Sequence, residues 1–343
     1  MKQQKNISKM RLFMTVLAVV CIIVVVSWLS QKQSAENYRR YSGVVWTTQY
    51  NVIYQSEKSL DDSIQVIFNC VDNSLSMYNK NSLITRINNG ENVPVDMMLR
   101  YIYNASLNVC EETCGAFDPT VSPLMKMWGF VDKGGGTPSA QQIDSLLSFV
   151  GIGKTELKEE YIIKEDNRTA FDFSAIAKGF ACDEIGRMLK RNDVQNYLVE
   201  IGGEIALSGV NNMGRVWRIS VDKPIESSGM PMHENALIVE MNSGGIATSG
   251  NYRNFNIVDG RKVVHTMNPK TGYPEENNLL SATIIADNCM LADAYATACM
   301  VMGAKQSKEF LEKRSDIGGF LIYSSDADTL SMWSNNKFNE YVK

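Results

Sequence analysis

The sequence is short of several things that would announce a function. Lys and Arg number 34 against 38 Asp and Glu, so there is no basic excess, and nucleic acid is excluded as a partner. Only 8 of the 343 residues are Pro and 24 are Gly, with no repeat period, which rules out collagen-like, solenoid and low-complexity architectures. Histidine occurs twice, at His233 and His265, and no second cysteine pair follows Cys110 and Cys114, so no zinc site is expected. What is present is ordinary: 44% apolar and 21% charged residues with a net charge of −4, a chain that must bury a core to act. Its length admits two average domains or one large one.

Charge is also missing from one stretch, the twenty residues 12–31, LFMTVLAVVCIIVVVSWLSQ. As a helix rising about 1.5 Å per residue this run spans one hydrocarbon core of roughly 30 Å. Lys2, Lys5, Lys9 and Arg11 precede it without an acid among them, whereas Lys32, Arg39 and Arg40 follow with Glu36 between. That bias keeps residues 1–11 cytoplasmic, makes 12–31 a transmembrane anchor, and places a stem (32–42) and the body (43–343) on the periplasmic side of the inner membrane. A cleaved signal peptide ending near Gln33-Ser34-Ala35 is the alternative, and Val20 before Cys21 is bulky for a lipoprotein signal. Six cysteines then lie in the exported body, where disulfides are chemically permitted.

Beyond the stem, Val44 to Tyr54 reads as a strand. Leu60, Ile64, Ile67, Val71 and Leu75 recur at helical spacing, and a second helix runs from Val95 to Cys114 with Gly115 at its C′ position. After Gly134-Gly135-Gly136 a short helix reaches Phe149. Then β-type runs gather (YIIK, AFDF, NYLVEIG, VWRISVD, ALIVEM, LLSATIIA) among helices at 174–191, 289–302 and 304–313. Strands in runs with hairpin-like turns favour an α+β fold with mixed or antiparallel sheets over a doubly wound parallel sheet.

Several residues can carry chemistry. Ser174 is placed to cap a helix whose first amides attract anions, with Asp172 before it and Lys178 in the next turn. Asp293 and Thr297, at i and i+4, present a carboxylate and a hydroxyl on one face, a donor pair suited to Mg²⁺ but equally to helix capping and back-bonding. His265 stands between a strand and the turn-rich Met267-Asn268-Pro269-Lys270-Thr271-Gly272-Tyr273-Pro274, as a base or as a turn-holding hydrogen bonder. Gly202-Gly203 and Gly244-Gly245 allow a close approach of backbone to something. Tyr78, Phe117 and Trp128 could stack on a ring or sit in the core.

Taken in order, Met77-Tyr78-Asn79-Lys80-Asn81-Ser82, GAFDPTVSPLMKMWGF, DFSAIAKGFACD, YLVEIGGEI, ATSGNYR, HTMNPKTGYP and ADAYATACMVMG resemble the ApbE family of FAD:protein FMN transferases over about residues 44 to 335. The resemblance implies a T-fold-like α+β domain with FAD in a cleft between two subdomains. It implies Mg²⁺-assisted transfer of FMN from FAD to a threonine of an acceptor protein, with release of AMP. The expected metal ligands are Asp293, Thr297 and the carbonyl of Ala175. Tyr78, Ala116, Phe117, Asp118, Asp172, Lys178 and Met267 fall on FAD-binding positions, with Tyr78 stacking and Asp118 and Asp172 accepting hydrogen bonds from ring or ribose groups. His265 matches the histidine taken as base.

The chain also departs from the family. Trp46-Thr47-Thr48 stands where Met-Gly-Thr is common, so Trp46 is the expected FAD contact there; Asn268 replaces a usual Asp; and Ala296 cannot ligate metal as an acid there would. The expected acceptors are subunits of ion-pumping redox complexes. An FAD pyrophosphatase and a flavin-binding protein without turnover remain the alternatives.

Overall fold

The structure is a computed structural model that describes residues 37–131, 137–223, 235–250, 255–258, 261–325 and 329–343, together with Met14, Leu17 and Val20. The expected anchor at 12–31 and the triple glycine at 134–136 therefore lie outside the described residues, those three apart. Among the described residues no helix is long and apolar enough to cross a membrane.

The frame is an eight-stranded antiparallel sheet in the order β1 (Tyr38–Val45), β2 (Thr48–Gln55), β5 (Tyr197–Ile201), β6 (Glu204–Ser208), β9 (Ser243–Gly250), β12 (Leu279–Ala286), β13 (Gly318–Ser324) and β14 (Leu330–Ser334). Three two-stranded ribbons accompany it: β3 (Thr155–Lys158) with β4 (Tyr161–Lys164), β7 (Trp217–Asp222) with β8 (Asn235–Met241), and β10 (Phe255–Val258) with β11 (Arg261–Val264). One face of the sheet carries α6 (Ser174–Arg191) and α7 (Cys289–Glu312), with α1 (Asp61–Leu75), α2 (Leu83–Asn88) and α3 (Met97–Glu112) packed around them. The other face is covered by the β7–β8 ribbon and by α8 (Asn336–Asn339), through Trp217, Val239 and Phe338. Because both faces are covered, central strands are apolar on both sides: in β5, Val199 and Ile201 enter the helical core while Leu198 enters the other. A third, smaller cluster of Leu124, Trp128, Ile143, Val150 and Met267 forms around α4 (Ser122–Met127) and α5 (Ala140–Leu147).

The α+β expectation holds, and several local expectations change. The stretch read as one strand from Val44 is a hairpin whose first strand begins at Tyr38, inside the segment read as stem. Its two-residue turn, Trp46-Thr47, takes positive φ at both positions (47° and 64°), a conformation that Asn-Gly usually supplies, so the residues gave no turn signal. AFDF is not a strand: Ala170 makes one parallel bridge to Val121, and Phe171 and Phe173 stack in the core at 5.7 Å. At the end of α3 the left-handed C′ position is held by Cys114, and Gly115 is one residue further, donating its N–H to the Cys110 carbonyl at 2.7 Å. Helix α7 breaks at Gly303 (φ 72°), where two helices were expected to meet. The six cysteines of the body are free thiols, with Cys182, Cys289 and Cys299 buried.

The glycine pairs answer to two different demands. Gly202 and Gly203 (φ 65° and 103°) make the tight turn between β5 and β6. Gly245 faces the start of α7: a Cβ there would lie 2.2 Å from the Cys289 nitrogen. Gly179 of α6 is pressed on the same point, its virtual Cβ 2.4 Å from the Cys289 carbonyl oxygen. The head of α7 is thus pinched between a helix and a strand stripped of side chains, and this sets where Asp293 points.

Candidate active site

Helix α7 is fixed at its start from two sides. Its own Asn288 side chain accepts from the Leu291 N–H at 2.9 Å, and Asp183 of α6 accepts from the N–H groups of Cys289 and Met290 at 3.0 and 2.8 Å. Burial pushes the Asp183 carboxyl up to about 6 even though both amides hold it down. One turn on, Asp293 is 3% exposed and its Oδ2 accepts from the Gly179 N–H at 3.1 Å. In an α-helix that amide belongs to the carbonyl four residues back, which is Ala175, so the two oxygens lie within about 6 Å of each other. Thr297, one turn beyond, shares a 3.3 Å hydroxyl contact with Ser249 of β9. A carboxylate, a hydroxyl and a carbonyl are hard oxygen donors of the kind Mg²⁺ takes when phosphates and water complete its shell. The donor chemistry therefore fits the expected ion, although among the described residues no three His, Cys, Asp or Glu side chains gather as a metal cluster.

Beside Asp293, Lys178 meets Glu204, an acid that the sequence did not single out. Lys178 of α6 pairs with Glu204, the first residue of β6, whose side chain is 6% exposed while that of Lys178 is 34% exposed. Burial alone would lower the Lys178 ammonium, but the Glu204 and Asp293 carboxylates outweigh it and raise it. Glu204 is pushed up by burial and by Asp293, against the pull of Lys178, and burial raises Asp293 as well. The available signal was an acid opening the apolar strand EIALS after a tight glycine turn, which is a buried charge needing a partner.

The rim is built from loops tied to one another. The segment at 116–120 runs alongside the entry to α6: the Asp172 N–H donates to the Pro119 carbonyl at 2.6 Å. Ser174 is not the cap; Phe173 holds that position without a side-chain bond, and the Asp172 carboxylate accepts from the Ser174 N–H at 2.8 Å. Burial raises Asp172 despite that bond. Tyr78 is 75% exposed on the loop after α1, and surrounding protein and then Asp172 raise its phenol. Ser122 of α4 reaches Met77 Sδ at 3.5 Å and so ties that loop to the 116–122 wall.

Asp118 is committed elsewhere. Its Oδ1 accepts from the N–H and hydroxyl of Thr120 at 2.8 and 2.6 Å, and its Oδ2 from the Ile152 N–H at 2.9 Å and the Cys110 thiol at 3.7 Å. Its oxygens are thus held by the protein itself, and Asp118 joins the 116–120 segment to residues 110 and 152. Phe117 and Trp128 are core residues, 3% and 6% exposed.

The last wall is the turn after β11. His265 follows that strand half-buried, Met267 is buried in the small cluster, and Trp128 Nε1 donates to the Gly272 carbonyl at 3.0 Å. Asn268, in place of an acid, holds the turn: its amide donates to Glu275 at 2.8 Å, and its carbonyl oxygen accepts from the N–H groups of Lys270 and Thr271. Lys270 packs 3.4 Å from the Cβ position of Gly115, joining this turn to the 115–118 wall. Trp46 stands edge-on to Phe68 at 5.7 Å, in the hairpin that meets Gly202 through Thr48.

An antiparallel sheet bears two helices whose pinched junction holds a half-buried ammonium and two buried carboxylates, and the fold as a whole is that of solved flavin transferases. The flavin transferase ApbE from Vibrio cholerae superposes with a TM-score of 0.79 at 30% identity, covering 89% of this chain and 99% of that one. A Pseudomonas stutzeri flavinyl transferase ApbE in its apo form gives 0.79 at 30% identity, covering 89% and 96%. The FAD:protein FMN transferase of Escherichia coli K12 is 32% identical over 294 residues, 82% of each chain. That of Haemophilus influenzae is 31% identical over 302 residues, 83% of this chain and 86% of its own. The model of the ApbE family matches residues 43–321, and the chain belongs to that family.

Proposed function

We propose that the chain transfers FMN from FAD to a threonine hydroxyl of an acceptor protein, with Mg²⁺ and with release of AMP. The observation that supports it most is the convergence of Lys178, Glu204 and Asp293 at the α6–α7 junction. Asp293, Thr297 and the Ala175 carbonyl would hold Mg²⁺, which supplies charge neutralisation at the phosphates when bound. Lys178 offers its ammonium to the same phosphates, and the positive end of the α6 dipole adds to it. Tyr78 presents an exposed ring for stacking on the flavin or the adenine. In the transfer, the threonine oxygen bonds to the flavin-side phosphorus, the bond to the AMP phosphate breaks, AMP departs, and the hydroxyl proton passes to His265.

The acceptors in this proposal are subunits of ion-pumping redox complexes that face the periplasm, met by a transferase held at the inner membrane by residues 12–31. The charge-free run and the basic residues before it support that placement.

The detergent-solubilised full chain, given FAD, Mg²⁺ and an acceptor domain, should make an acceptor band that fluoresces in a gel, and EDTA should abolish it. His265→Ala should slow that labelling at least about a hundredfold, the usual scale of general-base catalysis, and change FAD affinity far less. Equal losses of rate and affinity would make His265 structural. Labelling that survives EDTA would remove Mg²⁺ from the reading, and AMP release without labelling would favour the pyrophosphatase.

A further inference from the structure

The Lys178–Glu204 pair is oddly built for phosphate binding. An ammonium meant only to grip phosphates gains nothing from a carboxylate held against it from behind, since the pair neutralises its charge before any substrate arrives. The arrangement is also costly to the fold. Glu204 Oε1 takes the ammonium, but Oε2 is buried without a hydrogen-bond partner, and an unsatisfied buried carboxylate oxygen is destabilising. The residue's pairing with Ile201 across the β5–β6 turn and the bond from the Cys182 thiol to its backbone carbonyl, at 3.3 Å, are made by its main chain and would be open to any residue. The second carboxylate, Asp293, is 3% exposed and close enough to act on both members of the pair. With all three groups ionised, as at pH 8, the metal-free cluster sets one positive group against two negative ones, and its net charge is negative at the place proposed for the pyrophosphate.

We propose that Glu204 makes FAD binding conditional on the divalent cation: by cancelling Lys178 it leaves the empty cluster negative, which repels the pyrophosphate and attracts the metal. Asp293, Thr297 and the Ala175 carbonyl would hold the divalent ion, whose two positive charges would reverse the sign of the site and let FAD bind. Metal is thereby bound before or together with the nucleotide, and FAD alone is held poorly. This rests on the reading of Lys178 and Asp293 given above, and it assigns Glu204 as a positioning and charge-setting residue that acts through Lys178.

The signature is a pair of opposite changes. FAD binding to the full chain is followed at pH 8 and fixed ionic strength by quenching of flavin fluorescence, in EDTA and across a Mg²⁺ titration. For wild type the FAD Kd should be lower with Mg²⁺ than in EDTA. Glu204→Gln should tighten FAD binding in EDTA by about fivefold or more, the effect of removing one charge some 6–8 Å away at intermediate dielectric, and should raise the Mg²⁺ needed for half-saturation by a similar factor. Glu204→Asp, which keeps the charge, should resemble wild type. A Glu204→Gln protein that binds FAD less well in EDTA with an unchanged Mg²⁺ response would overturn the proposal, as would a wild type whose FAD affinity ignores Mg²⁺. Lys178→Met and Asp293→Ala separate the two readings: if neither alters FAD binding or its response to Mg²⁺, the placement of the site fails; if they do and Glu204→Gln does not, only the charge gate fails.

Discussion

At the scale of single residues, chemistry and strain sit close together. The turn at Trp46-Thr47 forces a β-branched residue to φ 64°, which costs an L residue roughly 1–2 kcal/mol. Thr47→Gly should stabilise the protein by about 1 kcal/mol and raise its melting temperature by a few degrees; a fall would mean that the Thr47 side chain makes a compensating contact. Which residues the sequence revealed, and which it concealed, follows from where partners come from. That Asp293 and Thr297 share one helix was readable because their spacing is local. Glu204 was not, because its meaning depends on Lys178, 26 positions away in the chain, and the hydrogen bonds of Asp118 were not, because the Ile152 N–H and Cys110 thiol that meet its oxygens arrive through the fold.

At the scale of elements, periodic segments were legible and Gly-rich ones were not. Helix α6 was read with its observed bounds, and β12 likewise, since each carries an apolar pattern of its own. Strand β9, SGGIATSG, has none, for its small residues exist to let α7 lie against the sheet. The head of α7 tests this directly. A methyl at Gly179 would meet Cys289 and Met290 backbone atoms at 2.4 to 2.8 Å, and backbone cannot swing aside as a side chain can. Gly179→Ala should therefore move α7 off α6, destabilise the protein by about 3 kcal/mol as severe overpacking does, and reduce AMP release by misplacing Asp293. Wild-type stability and turnover in this variant would show that the pinch is not needed.

At the scale of the whole molecule, the buried acids tie stability to pH. Asp183 titrates near 6 in the folded protein against about 3.8 when unfolded. A raised carboxyl makes the folded state bind the extra proton, so this group favours folding below about pH 4 and that benefit is lost as pH rises through 6. Asp183→Asn removes the titration: the stability of wild type relative to the variant should fall by roughly 2–3 kcal/mol between pH 4 and pH 7. A constant difference in denaturation midpoints over that range would show that Asp183 is ionised throughout.

The whole molecule also has to do one thing, and a stoichiometry tests it most directly. Full-length protein is incubated with FAD, Mg²⁺ and an acceptor domain, AMP is quantified, and the acceptor is weighed by mass spectrometry. The account predicts one AMP for each acceptor that gains the mass of an FMN phosphoester on threonine, with both products lost to EDTA and in Asp293→Ala. AMP that forms equally with and without acceptor while no acceptor gains mass, or Asp293→Ala that labels at the wild-type rate, would contradict it.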